Sequence, residues 1–226
     1  MRQRRPLLRQ RITRLVEHAV ALVAHPMLGY GATSRLVTAC TMTPFPYDRI
    51  NIVGAAGSGT STLGGALARR LGYAFLDADD FYWRPTTPPF QQKYEAEARL
   101  ATIVDAMDAQ PATVIAGSVA GWGEQLEDAF DLVVFLSLPT ALRMQRIEAR
   151  EIARFGRADP AFLAWAEQYE EGRLSGRSRA RHEAWLSSRT CRVLRIEGDQ
   201  DVDARVDALI HLLGDERVGA RAPGRI

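Results

Sequence analysis

Hydrophobic residues of this chain fall into short β-rich runs and helical spacings that alternate from Arg49 onward. Ile50 to Val53 form the first run, and a glycine-rich loop follows it. Apolar residues then recur at helical intervals from Leu63 to Leu71. The pattern therefore predicts a strand, a loop and a helix over residues 49–71.

The same alternation continues to residue 213. It predicts strands at 74–76, 112–116, 132–138 and 192–196, and helices at 94–107, from Pro139 onward, around 181–186 and at 202–213. The run from Leu132 to Leu138 is almost wholly apolar, which is typical of a strand buried on both faces of a parallel sheet. Helices and strands in this order predict an α/β fold with helices on both faces of a parallel sheet.

The first 48 residues differ in composition from the rest. Six arginines between Arg2 and Arg14 accompany apolar residues at helical spacing, which permits a basic amphipathic helix. Such a helix would serve as a targeting segment or a membrane-surface anchor, and the alternative is a poorly ordered extension. We expect an extension over 1–48, one domain over 49–214 and a tail over 215–226.

Charge and cysteine content narrow the functional class. Residues 1–49 contain eight arginines and two acids, whereas the remainder carries 21 basic and 25 acidic residues. This mildly acidic body argues against a nucleic-acid partner. Two cysteines offer neither a disulfide framework nor metal-ligand spacing, and no apolar run approaches the roughly 20 residues that span a bilayer. We therefore expect a cytoplasmic protein without a membrane partner.

The loop after the first strand has the spacing G-x-x-x-x-G-K-[ST] of a phosphate-binding loop, except that Thr60 replaces the lysine. Glycines let successive N–H groups point at phosphate oxygens, and the next helix adds its positive N-terminal end. We expect the loop to bind ATP and the Ser61 hydroxyl to bind Mg²⁺; the alternative is a glycine-rich turn that binds nothing. The predicted ATP-binding residues are Gly54, Ala55, Ala56, Gly57, Ser58, Gly59, Thr60, Ser61 and Thr62.

The missing lysine has a chemical consequence. A lysine in this loop stabilises charge on the transferred phosphoryl group, so its loss slows transfer unless another cation replaces it. Lys93 is the only lysine of the whole chain, and it lies far from the loop in sequence. An arginine is therefore the expected substitute.

The loop, followed by Asp79-Asp80-Phe81-Tyr82-Trp83, resembles small P-loop kinases of the adenylate kinase and uridine kinase type. It looks most similar to bacterial adenylate-kinase-like proteins that are labelled as AAA-family ATPases. The resemblance covers about residues 49–213. It implies a three-layer fold with a five-stranded parallel sheet in the order 2-3-1-4-5, and an arginine-rich lid at about 155–180.

Three acids, Asp77, Asp79 and Asp80, end the second predicted strand. Their mutual repulsion would be relieved by Mg²⁺ or by a hydroxyl-bearing acceptor. Similarity to uridine kinases and nicotinamide riboside kinases implies that Asp79 orients and deprotonates the acceptor hydroxyl. It also implies that Asp80 is the catalytic neighbour of Asp79 and that Asp79 faces Mg²⁺. The alternative is a helix cap or a solvated acid. The third strand ends in Gly117-Ser118 rather than in an acid, so Mg²⁺ would depend on Ser61 and these carboxylates.

Aromatic residues follow the acids closely. They offer either a stacking surface for a ring of the ligand or ordinary packing. The set comprises Phe81, Tyr82, Trp83, Phe90 and Tyr94.

Arginines at helical spacing follow the fourth strand. Arg143, Arg146, Arg150 and Arg154 would share one helix face, and bound phosphates would offset their repulsion. We assign catalytic charge stabilisation to Arg150 and Arg154, with Arg157 beside them. The lid-exit arginines, 177, 179 and 181, are alternatives, as is a salt-bridged surface that includes the interleaved glutamates.

Together these features predict an ATP-dependent phosphotransferase that acts on a nucleoside, a nucleotide or a similar small metabolite. The first alternative is a nucleotide-binding regulator or pseudokinase, favoured by Thr60. The second is a protein whose basic N-terminal arm docks on membranes or nucleic acid. No pattern between Trp83 and Arg99 identifies the acceptor.

Overall fold

The computed structural model describes residues 45–173 and 175–214. Predictions for the first 44 residues and for the C-terminal tail lie outside this part of the chain.

Five parallel strands form one sheet in the order β2-β3-β1-β4-β5, which confirms the predicted fold. β1 lies at the centre, where Ile50 pairs with Val114 of β3 and with Leu132 of β4. The strands are β1 (Arg49–Gly54), β2 (Ala74–Asp77), β3 (Thr113–Ala116), β4 (Leu132–Ser137) and β5 (Arg192–Glu197).

Helices connect the strands and cover the sheet. Within the described residues they are α1 (Thr60–Leu71), α2 (Ala78–Tyr82), α3 (Ala96–Asp108), α4 (Glu124–Glu127), α5 (Thr140–Phe155), α6 (Pro160–Glu167), α7 (Arg179–Ser187) and α8 (Val202–Gly214). The short helices α2, α4 and α6 have no counterpart in the hydrophobic pattern, because each is too short to show a helical period.

Two apolar cores sandwich the sheet. On one face Ile50 and Ile52 pack with α1 and α8, and on the other Val53 packs with α3 and α7. Alternate residues of β1 thus enter opposite cores, as the two-residue period of a strand requires. The result is the predicted three-layer α/β arrangement.

A buried asparagine fixes the edge of the sheet where the strands end. The side-chain amide of Asn51 on β1 donates hydrogen bonds to the carbonyl oxygens of Ile115 (3.0 Å) and Gly117 (3.1 Å). These bonds hold the end of β3 against β1. The carboxyl ends of β1 and β3, at the edge where open α/β sheets bind ligands, are thereby held together.

Candidate active site

The phosphate loop between β1 and α1 folds tightly against its surroundings. A Cβ atom on Gly54 would lie 2.5 Å from Ser58 Oγ and 2.7 Å from the Leu136 carbonyl oxygen. Gly57 adopts a φ of 80°, and a Cβ there would lie 2.7 Å from the Arg143 carbonyl oxygen. Both glycines are thus required by close packing, and at Gly57 also by its positive φ.

The inner side of this loop presents free hydrogen-bond donors. Within the described residues, the backbone N–H groups of Ala56, Gly57 and Gly59 have no protein acceptor. Gly59 has a φ of 91°, and a Cβ on it would meet nothing within 4 Å, so open space adjoins it. Unpaired donors beside a helix N-terminus form an arrangement that suits an anion.

Thr60, Ser61 and Thr62 form the first turn of α1. Ser61 and Thr62 are exposed and Thr60 is partly buried. No acidic side chain occupies this first turn. The positive end of the helix dipole therefore adjoins the loop without neutralisation by a neighbouring carboxylate.

The acids after β2 take different roles. Asp77 caps α2, because its side chain accepts a hydrogen bond from the backbone N–H of Asp79 at 3.0 Å. Asp79 and Asp80 lie in the first turn of α2 and are exposed. Burial of its carboxyl group raises the pKa of Asp80, and the charges of Asp77 and Asp79 raise it further. The cluster is thus one in which a cation or a hydroxyl donor would relieve repulsion.

Arg177, at the exit of the predicted lid, contacts this acid cluster. Its Nη2 atom lies 3.4 Å from Oδ1 of Asp79. The two side chains are 29% and 52% exposed, so solvent still reaches the carboxylate. Of the arginines considered from sequence, Arg177 is the one that the structure brings to Asp79.

The arginines of α5 diverge instead of forming one free stripe. Arg146 pairs with Asp199, and Arg150 pairs with Glu151. Arg154 lies over the ring of Phe155. Within the part of the chain that the structure describes, neither Arg150 nor Arg154 forms a hydrogen bond or an ion pair with the loop or with Asp79.

Arg143 behaves differently from the other arginines of α5. Its side chain is 0% exposed and is the largest among the fully buried side chains. One guanidinium nitrogen, Nη1, donates to the carbonyl oxygen of Ala56 in the loop at 3.2 Å, and to that of Ala166 at the same distance. Sequence spacing alone placed Arg143 on a phosphate-facing stripe, whereas the structure places it behind the loop.

The aromatic residues after the acids pack with one another and with cations. The rings of Tyr82 and Trp122 stack at 5.9 Å between centroids. The Arg99 guanidinium lies over both rings, 5.0 Å from the centroid of Tyr82 and 4.7 Å from that of Trp122. Lys93 lies over Tyr82 and Trp83. Arg99 could not be predicted from the sequence, because a single arginine in a helical pattern is not a motif.

A buried hydrogen-bond chain joins α7 to the end of β3. The Tyr169 hydroxyl lies 2.8 Å from Nδ1 of His182, and Nε2 of His182 lies 2.9 Å from Oγ of Ser118. Burial, with a smaller contribution from the nearby positive charge of Arg177, lowers the pKa of His182 to about 4, so the imidazole is neutral at pH 7. Burial also raises the pKa of Tyr169. The sequence did not predict this hydrogen-bonded set, because its three residues lie far apart in the sequence and belong to no motif.

Among the described residues, no group of three or more histidine, cysteine, aspartate or glutamate side chains is arranged to hold a metal ion. Likewise, none of the helices in residues 45–173 and 175–214 has the length and apolar character needed to cross a bilayer.

Comparisons with known proteins agree with this geometry. A family model described as AAA domain matches residues 50–158. The chain is 38% identical over 174 residues to the uncharacterized protein YqaC of Bacillus subtilis, which covers 73% of this chain and 96% of that protein. It is 33% identical over 108 residues to shikimate kinase 2 of Serratia proteamaculans, which covers 44% of this chain and 62% of that enzyme.

Solved structures show the same fold. Shikimate kinase from Acinetobacter baumannii in complex with shikimate gives a TM-score of 0.50 at 19% identity, covering 79% of this chain and 97% of that one. A gluconokinase from Sinorhizobium meliloti gives a TM-score of 0.50 at 19% identity, covering 80% of this chain and 100% of that one.

The sheet order and the glycine-rich loop give the chain the same fold as these small P-loop kinases. Within it, the chain belongs to the family of the B. subtilis protein YqaC. The partial match to shikimate kinase 2 and the fold shared with shikimate kinase and gluconokinase agree with an ATP-dependent small-molecule kinase. The finer resemblance to adenylate and uridine kinases stays a prediction.

Proposed function

We propose that this protein transfers the γ-phosphoryl group of ATP to a hydroxyl group of a small acidic metabolite. The observation that carries the proposal is the contact between Arg177 and Asp79, which joins the lid exit to a carboxylate at the edge of the sheet that also holds the phosphate loop. A base, a cation and an anion-binding loop are the parts that phosphoryl transfer needs.

ATP would lie with its phosphates on the free N–H groups of Gly57 and Gly59. Residues Gly54 to Thr62 form this cradle, and the positive end of α1 favours the triphosphate. Bound with ATP, Mg²⁺ would neutralise charge on the β- and γ-phosphates. The exposed hydroxyl of Ser61 and the carboxylate of Asp79 are the groups that we propose to face it, because nucleotide phosphates can supply the remaining oxygen ligands.

Asp79 would act as the base. As the acceptor oxygen bonds to the γ-phosphorus, its proton passes to the Asp79 carboxylate, and the bond from the γ-phosphorus to the bridging oxygen breaks to release ADP. Arg177 would hold the carboxylate in place and attract the acidic group of the acceptor. Asp80 would bind the acceptor beside it, and Arg150 and Arg154 would approach the phosphates when the lid closes.

The positive charges near Asp79 indicate the chemical class of the acceptor. Arg177 and Arg99 both lie next to residues of α2, the helix that carries Asp79. Cations beside a base favour a substrate that has both a hydroxyl and a carboxylate or phosphate group. Shikimate, a hydroxylated acid, is bound by one structural relative. We propose a soluble cytoplasmic enzyme with no nucleic-acid partner, and its acceptor as a hydroxylated acid.

The test is ADP release with ATP and Mg²⁺ across shikimate, gluconate, nucleosides and nucleotides. With any active acceptor, Asp79→Asn should lower kcat about 100-fold or more, because the acceptor loses its base. Asp105→Asn is the matched control, since Asp105 is an exposed acid of α3. Equal rates for Asp79→Asn and wild type would refute Asp79 as the base.

A second candidate is a nucleotide-binding regulator. Thr60 in place of lysine favours it, because the loop then lacks its usual cation. A regulator would bind ATP yet release no ADP with any acceptor of the panel.

A further inference from the structure

We propose that Arg143 supplies, from inside the protein, the positive charge that the phosphate loop lacks at Thr60. The inference rests on the proposed function only in that the loop binds a triphosphate. Arg143 acts here as a positioning residue, because the guanidinium contacts the loop rather than the phosphates.

Within the part of the chain that the structure describes, the charge of Arg143 is buried without a counter-ion, which is energetically costly. The Arg143 side chain is 0% exposed, and no carboxylate in the described residues lies within ion-pair distance of it. Its hydrogen-bond partners are neutral oxygens, namely the carbonyls of Ala56 and Ala166 and the hydroxyl of Thr140. A buried cation without a counter-charge is unfavourable. A polyanion bound in the adjacent loop would supply the negative charge that no nearby side chain in this part of the chain provides.

The hydrogen bonds of the Arg143 guanidinium are incomplete. The Nε atom of Arg143 is buried and has no partner. The ring of Tyr169 lies 5.2 Å from the guanidinium carbon and covers another side of the group. Burial lowers the pKa of Arg143, and the charge of Glu170 opposes that shift. Glu170 is exposed, so its charge is screened by solvent.

The peptide unit between Ala56 and Gly57 has a fixed direction relative to Arg143. In a trans peptide the C=O and N–H groups point in opposite directions. Arg143 holds the Ala56 carbonyl, so the N–H of Gly57 in the same peptide unit points away from the guanidinium. That N–H is among the free donors of the loop. The cation therefore fixes and polarises a donor that faces the phosphate cradle.

The same nitrogen also links the loop to the lid. Nη1 contacts Ala56 in the loop and Ala166 in α6, each at 3.2 Å. A Cβ on Gly57 would collide with the Arg143 backbone, so the loop and the first turns of α5 are in direct contact. Anion binding in the loop is thereby connected to the position of α6 through one guanidinium.

The test is a double-mutant cycle that restores the missing lysine. Inorganic triphosphate with Mg²⁺ is the probe, and its affinity is measured by calorimetry for wild type, Arg143→Gln, Thr60→Lys and the double variant. We expect Arg143→Gln to weaken binding about tenfold or more with Thr60 present, but less than about threefold with lysine at position 60. Arg143→Lys, which keeps the charge, should stay within about threefold of wild type. Arg70→Gln, at an exposed arginine paired with Asp207, is the control.

Equal losses in the two backgrounds would overturn the inference, because a mere structural brace does not depend on position 60. Should Arg143→Gln not fold, the wild-type protein gives the answer by NMR of the Arg143 Nε–H group. Triphosphate should shift that resonance and adenosine should not, and an unshifted resonance overturns the inference. A wild type that binds no triphosphate refutes the proposed function and this inference together, whereas binding with equal losses refutes the inference alone.

Discussion

The Arg177 guanidinium lies 3.4 Å from the Asp79 carboxylate, although the two residues are 98 positions apart in the sequence. The contact brings the exit of the predicted lid to the acid cluster that follows β2. Replacement of Arg177 by methionine should therefore raise the KM of the acceptor about tenfold or more, with a smaller effect on the KM of ATP. Arg181→Met is the control, because Arg181 bonds to its own turn at Gly176. Equal effects of the two variants would contradict this role.

Gly57 and Gly65 offer a matched pair of substitutions to alanine. At Gly57 a φ of 80° and a backbone oxygen 2.7 Å from the added Cβ forbid a side chain, so Gly57→Ala should weaken ATP binding about tenfold or more. At Gly65 the added Cβ would meet only Arg69 Nη1 at 3.6 Å. Gly65→Ala should leave ATP affinity unchanged and raise the free energy of unfolding by about 0.5–1 kcal/mol. Calorimetry measures the ATP affinity of both variants, and thermal unfolding measures their stability. Wild-type ATP affinity in the Gly57→Ala variant would contradict the loop geometry.

His182 predicts how stability depends on pH. Its pKa is about 4 in the folded protein and 6.5 when unperturbed. Between these values the unfolded chain binds more protons, so the free energy of unfolding falls as pH decreases from 6.5 toward 4. The shift corresponds to about 3 kcal/mol in total. Denaturant unfolding at successive pH values measures this dependence. As pH decreases from 6.5 toward 4, the free energy of unfolding should fall less for His182→Gln than for wild type or for the control His211→Gln. Identical slopes would contradict a neutral, buried His182.

Arg99 tests the charge of the acceptor. Its guanidinium lies over Tyr82 and Trp122, and its Nε atom is buried without a partner. If the acceptor is acidic, Arg99→Met should raise its KM about tenfold while the KM of ATP stays unchanged. Arg84→Met is the control, because Arg84 lies over Tyr94 and bonds to the Lys93 carbonyl. A neutral acceptor would show equal KM values for the two variants.

Sequence patterns predicted the sheet and the loop because these depend on local signals. The alternation of strands and helices and the spacing from Gly54 to Ser61 are visible in a single stretch of chain. The helices α2, α4 and α6 were missed, since they span four to eight residues and show no period.

The side chains of the site were less predictable, because their roles depend on contacts between distant residues. Four arginines at helical spacing predicted a common face on α5, yet Arg143 is buried while Arg146 pairs with Asp199. The link between Tyr169, His182 and Ser118 spans three separate segments, so no motif marks it. The assignments of Arg150 and Arg154 stay predictions.

Transfer of a phosphoryl group, and not nucleotide binding alone, is the activity that we propose for this protein. A single-turnover reaction with ATP labelled at the γ-phosphorus, enzyme in excess and an active acceptor tests it most directly. We predict that the label appears on the acceptor within one turnover and that Asp79→Asn slows its appearance about 100-fold or more while ATP still binds. Bound ATP that stays intact with every acceptor of the panel would contradict the claim and would identify the protein as a nucleotide-binding regulator.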